Sequence, residues 1–130
     1  MDDKSQRMVW IDLEMTGLDI ERESIIEIAT VITDSELNII AQGPNLAVTV
    51  SEELLAGMDE WNTTHHNQSG LVDRIRNEGV SILEAQRQTL EFLKQWVSPN
   101  SAPLCGNSVW NDRRFLDKEM PLVHYKIDSA

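Results

Sequence analysis

At 130 residues, 41% hydrophobic and 25% charged, the chain has the balance of one soluble globular domain over residues 1–130, with material for a single core and not two. No run approaches the roughly 20 apolar residues of a membrane helix, and the acidic start Met1-Asp2-Asp3-Lys4-Ser5 argues against a secretory or basic transit peptide, so no membrane partner is expected. Twenty-two acids face 11 bases, and a formal charge of −11 with no basic run disfavours a protein that grips long nucleic acid through its phosphates.

In chain order, residues 8–14 read as a short, largely apolar strand that breaks at the Thr16-Gly17 turn. Residues 24–33 are β-branched and almost wholly apolar, the composition of a central strand. Asp34-Ser35 supplies a turn into a hairpin partner at 37–42, Gly43-Pro44-Asn45 breaks again, and 46–50 reads as another short strand. Ser51 caps a helical turn beginning at Glu52, residues 59–66 read as a second short helix, and Ser69 is placed to cap a third over 70–77. The clearest helix is 82–97, where Ser81 and Glu84 have the spacing of a capping box, Leu83, Leu90, Leu93 and Val97 share a face, and Pro99 is a stop. A buried strand at 102–105, a helix at 111–119 ended by Met120-Pro121, and a last strand at 123–127 complete the pattern. Strands first and helices after imply an α/β class, a sheet covered by helices. Cys105 is the single cysteine, which excludes an intrachain disulfide and a cysteine-based zinc site and makes a reducing, cytoplasmic setting the default.

Three acids stand out. Asp12 and Glu14 lie at i and i+2 of the first strand, so they share a face, roughly 6.6–7 Å apart along it. An unpaired carboxylate is costly to bury, and a hard divalent cation such as magnesium or manganese relieves that cost. The competing explanation is an edge strand whose polar face is simply solvated. Asp112 falls at a helix start, where an acid is favoured by the dipole alone. It also follows a strand and a Gly106-Asn107-Ser108 segment, a place where sites collect in open α/β sheets. Trp61 by itself is a core candidate, and the adjacent His65 and His66 cannot share a helix face, which makes them a poor chelate.

Taken together, Trp-Ile-Asp-Leu-Glu-Met-Thr-Gly-Leu-Asp at 10–19, Glu-Ser-Ile-Ile-Glu-Ile-Ala at 23–29 and Gly-Asn-Ser-Val-Trp-Asn-Asp-Arg-Arg-Phe-Leu at 106–116 resemble the oligoribonucleases, 3′→5′ exoribonucleases of the DEDD superfamily. The likeness runs from about residue 8 to about residue 121. It implies a ribonuclease H-like exonuclease fold and metal-dependent hydrolysis of short oligoribonucleotides to nucleoside 5′-monophosphates. The resemblance implies a two-metal site, Mg2+ or Mn2+, at Asp12, Glu14 and Asp112. It further implies that Leu18 wedges against the terminal base, Trp61 lines the substrate pocket, and His66 and Ser108 contact phosphate. Tyr125 would reach over the substrate of a partner subunit, in a homodimer.

The sequence departs from the family at its end. The family completes its site with a general-base histidine and a fourth acid spaced His-x4-Asp, whereas the histidines here are His65, His66 and His124, and His124 to Asp128 spans only His-x3-Asp. His124-Tyr125-Lys126 resembles instead the His-Tyr-Arg strand that precedes the pair, with residues lost after Pro121. Trp110 stands where a small or polar residue is expected. The chain therefore reads as an incomplete exonuclease domain, inactive or nearly so. The rival readings are an inactive oligonucleotide-binding or dimerisation module and a related 3′→5′ DNA exonuclease.

Overall fold

In the computed structural model, residues 6–98, 102–106 and 109–126 are described. The sheet is built from β1 (Met8–Met15), β2 (Ile25–Thr33), β3 (Ile39–Ala47) and β4 (Leu104–Cys105) in the order β3-β2-β1-β4. The first three strands form an antiparallel meander, and β4 adds in parallel to β1. β1 is thus an interior strand, although β4 accompanies it only at Val9 and Trp10, and farther along Asp12 is exposed and Glu14 half-buried.

Alternation along β1 divides its side chains cleanly. Val9, Ile11 and Leu13 are buried, and they join Ile28, Ile32, Leu93, Phe115, Leu116 and Val123 in the main core. At about 1.5–3 kcal/mol for each large apolar side chain removed from water, this face sets the strand's register. The helices are α1 (Glu52–Ala56), α2 (Glu60–Gln68), α3 (Leu71–Glu78), α4 (Ile82–Trp96), α5 (Val109–Glu119) and α6 (Pro121–Lys126). A smaller cluster of Ile26, Ala47, Leu55, Met58, Leu71, Val72 and Ile75 seats α1 and α3 against the strands.

Several sequence expectations are corrected. β3 runs unbroken where two strands were expected, because pairing passes from Val31–Gln42 to Ala29–Asn45 and leaves Gly43 and Pro44 opposite the single residue Thr30. That is a bulge on an edge strand, where a proline's missing N–H costs little. The N-cap position of α3 is Gly70, in the left-handed region at φ 82°, one residue after the expected Ser69, whose hydroxyl donates to the His66 carbonyl and accepts a long bond from Leu71 N at 3.4 Å. Ser81 does cap α4, its Oγ accepting from Glu84 N at 3.0 Å. The buried stripe of α4 is Ala85, Gln86, Thr89 and Leu93, so Leu83, 71% exposed, lies off it. The expected strand at 123–127 is a helix through Lys126: Pro121 opens α6, where its fixed φ suits a first turn, and Val123 plugs the core. Ile127 lies outside the described residues. No described helix is long and apolar enough to cross a membrane.

Candidate active site

The even-numbered face of β1 carries the chemistry. Trp10, Asp12 and Glu14 stand directly opposite Val31, Ala29 and Glu27 of β2. Glu27 is neutralised by Arg74 of α3, which also donates to Asn45 Oδ1 at 3.1 Å. Asp12, Glu14 and Asp112 form no ion pair with a lysine or arginine among the described residues. The ladder therefore separates a structural acid, Glu27, from acids left uncompensated.

Asp112 arrives from the far end of the chain. Val9 N donates to Pro103 O at 3.0 Å, and Leu104 and Cys105 pair with Val9 and Trp10, which brings the chain alongside β1. Gly106, at φ 145°, lies so close to β1 that a Cβ there would stand 3.0 Å from the Ile11 carbonyl oxygen. α5 starts just beyond and holds Asp112 in its first turn, only 5% exposed. Burial, reinforced by the charges of Asp12 and Glu14, pushes the Asp112 carboxyl up to about 7. Burial also raises Glu14, with His66 opposing, Asp12 adding, and His65 opposing again. The charges of Asp12 and Glu14 both bear on Asp112, and a cation would relieve that repulsion, although the ligand atoms of the three carboxylates do not all lie within 4.8 Å of one another.

Beside the acids is an aromatic cleft. Thr16, buried, donates its N–H to Ser24 O at 3.0 Å and accepts from Ser24 N through Oγ1 at 3.1 Å, which fixes the chain's exit from β1. Leu18 follows, 75% exposed. Asp59 caps α2 by accepting from Asn62 N at 2.7 Å, and Trp61 in the first turn is 66% exposed. Glu14, Met15, Gly17, Leu18, Asp59, Trp61 and Asn62 line a cleft of about 440 Å³. Leu18 and Trp61 thus share one cleft with Glu14, and neither is spent on the core.

His66 is 1% exposed, its Nε2–H donating to the Met15 carbonyl at 3.1 Å and its Nδ1 without a partner among the described residues. His65 is exposed and stacks on Trp61, with ring centroids 4.7 Å apart and planes 13° from parallel. Although i and i+1 diverge on a helix, the two imidazoles meet edge to face at 5.2 Å. A ring nitrogen of each lies with a Glu14 carboxylate oxygen so that all three atoms are within 4.8 Å of one another. The sequence argument against this pair as a chelate did not anticipate that convergence, nor the Arg74–Glu27 pair. The i, i+4 spacing of Trp61 and His65 was the signal available. Ser108 lies outside the described residues, and Tyr125 falls on α6 with its side chain likewise outside them.

The fold and the acidic site define a nuclease of the exonuclease class: the family model described as Exonuclease, of RNase T type, matches residues 9–130. Solved structures agree on the fold. Escherichia coli Exonuclease I in complex with a dT13 oligonucleotide superposes with a TM-score of 0.65 at 16% identity, over 85% of this chain and 22% of that one. Exonuclease I from Methylocaldum szegediense gives 0.54 at 19% identity, over 84% and 22%. The sheet is thus the ribonuclease H-like one.

Among curated proteins, the Oligoribonuclease of Pseudomonas aeruginosa is 57% identical over 125 residues, 93% of this chain and 69% of that one. The Oligoribonuclease of Alcanivorax borkumensis is 55% identical over 130 residues, 97% of this chain and 72% of that one. The chain belongs to the oligoribonuclease family of 3′→5′ exoribonucleases.

Proposed function

We propose that this chain binds the 3′ end of a very short oligoribonucleotide and, with magnesium or manganese, serves hydrolysis of the terminal phosphodiester to a nucleoside 5′-monophosphate. The observation that carries this is the electrostatic proximity of Asp12 and Glu14 to the buried Asp112, whose carboxyl is raised to about 7 by burial and by those two charges, with Glu14 also lining the exposed Leu18–Trp61 cleft. The donor set fits the cation: three carboxylates that pair with no described lysine or arginine offer hard oxygen ligands. When bound, a pair of such ions supplies Lewis-acid stabilisation of the charge that builds on the phosphate.

The chain's own residues do the rest. Trp61 stacks on a base and Leu18 wedges against it, contacts that tolerate any sequence. His66, held by Met15, reaches phosphate only through Nδ1. Ser108 donating to phosphate, and Tyr125 closing over the substrate of a partner in a cytoplasmic homodimer, belong to the same proposal. The −11 charge suits a substrate of one or two phosphates over a long strand.

The resembling family's general-base histidine has no counterpart at its own spacing in this sequence. His124 lies 3.8 Å from Asp117, a partner on α5, and His66 is buried against β1, which leaves His65, exposed beside Glu14 but stacked on Trp61, as the imidazole open to water. On this reading the 130 residues bind substrate and turn it over slowly, which keeps the second reading, a binding or dimerisation module, in play. A diribonucleotide assay with manganese tests both, comparing this chain with one extended by the relatives' remaining segment. Binding by both, with hydrolysis by the short chain slower by about 10²-fold or more, is the expected result. Equal turnover would show a complete site within the 130 residues, and no dinucleotide binding would refute the reading. Preference for a deoxydinucleotide would favour the DNA exonuclease instead.

A further inference from the structure

We propose that Glu14, His65 and His66 form a second cation site, selective for a borderline metal of the zinc class, which draws Glu14 away from the all-carboxylate set. The three donor atoms lie within 4.8 Å of one another. Ligands around tetrahedral zinc stand roughly 3.4 Å apart, given metal–ligand bonds of about 2.0–2.1 Å. Closing that gap takes rotation of Glu14 and of the exposed His65, while α2 and β1 stay where they are.

His66 is already set for the role. Its Nε2–H donates to the Met15 carbonyl at 3.1 Å, so the lone pair belongs to Nδ1, which is buried and has no partner among the described residues. A ring N–H given to a backbone carbonyl is the usual outer-shell support of a metal-binding imidazole, because it fixes both tautomer and orientation. His65 is exposed and stacks on Trp61, a contact it trades for the ion as it turns. Two nitrogens and one carboxylate select zinc over magnesium, which prefers oxygen throughout. Glu14 also lines the open cleft of about 440 Å³, which leaves a fourth position reachable by water. Glu14 cannot serve both sets at once, so zinc and magnesium exclude each other. That last consequence rests on the proposed nuclease site, whereas zinc binding itself does not.

The experiment uses the untagged, chelator-stripped 130-residue chain. Zinc is titrated by calorimetry and cobalt by its visible absorption, in the parent and in His65→Ala, Asp112→Asn and Glu14→Gln. His65 is exposed, so its variant retains the fold. The expected result is one zinc per chain and the intense absorption of four-coordinate, nitrogen-ligated cobalt. His65→Ala and Glu14→Gln weaken affinity by about tenfold or more, and Asp112→Asn by less than about twofold. Zinc affinity lost in Asp112→Asn but kept in His65→Ala would place the cation among the carboxylates and overturn the proposal, as would the absence of saturable binding. Intact zinc binding in a chain that fails to bind dinucleotide would sink the nuclease reading and leave this site standing.

Discussion

Replacing Asp112 by asparagine removes a charge that the fold holds at a cost. In the folded chain this carboxyl is raised from 3.8 to about 7, chiefly by burial and then by Asp12 and Glu14. The folded state therefore binds the proton more tightly than the unfolded chain, and stability falls as pH rises between those two values. At about 1.4 kcal/mol per pH unit, the penalty above pH 7 has a ceiling of about 4 kcal/mol. Relaxation of the neighbouring acids and entry of water lower it, so a gain of about 2–3 kcal/mol is the expected effect of the substitution at pH 8. For a domain of this size that is a rise of about 10 °C in Tm. The gain should shrink as pH falls through the window, be small by about pH 4, and vanish only well below 3.8, where the parent's carboxyl is neutral in both states. The assay is thermal unfolding of the parent and Asp112→Asn from pH 4 to 8 with chelator present. Magnesium should stabilise the parent at pH 8 and the variant much less, since binding to the folded state alone raises stability by mass action. A pH-independent difference, or a variant less stable at pH 8, would refute the reasoning that burial and the neighbouring acids disfavour this charge.

Four further outcomes follow from the packing and the charge. Phe115→Ala empties a fully buried site in the main core and should cost about 3–5 kcal/mol, read as a lower midpoint in urea with an unchanged slope. Ser81→Ala deletes the hydroxyl that caps α4 and should cost about 1 kcal/mol, recovered in large part by Ser81→Asp. Gly106→Ala meets both a strained φ of 145° and the Ile11 carbonyl, so a loss of about 1–3 kcal/mol is expected by denaturant titration. Binding of a diribonucleotide should show a slope of about −1 to −2 in log affinity against log salt; a steep slope with tighter binding of a long strand would contradict a substrate gripped by its bases.

Much of this was open to a reader of the sequence. Period-two alternation in β1 puts Asp12 and Glu14 on one face whatever the tertiary context, and the apolar β2 reads as a central strand for the same reason. The misreadings share a cause: local chemistry was outvoted by tertiary partners. Gly43-Pro44 has the look of a turn, yet an edge position absorbs it as a bulge. Residues 121–126 are β-leaning in part, but Pro121 starts a helix and burial of Val123 holds it in place. His65 was set aside on helical geometry because only the stack with Trp61 and the approach of Glu14 give it a direction. Asp112 could be placed near β1 only by the likeness to a family, since no local pattern reports a contact across a hundred residues.

That contact has a kinetic meaning. β1, β2 and β3 are neighbours in sequence and can form early as a meander, whereas β4 pairs Val9 with Leu104 through only two residues. Closing so long a loop for so few hydrogen bonds belongs late in folding, when the rest of the core is in place to reward it. The repulsion between Asp112 and the β1 acids then arises after the rate-limiting barrier. It burdens the speed at which the finished fold comes apart more than the speed at which it forms. Relief of that repulsion, by asparagine or by a bound cation, would lengthen the lifetime of the native chain and leave its refolding rate almost untouched.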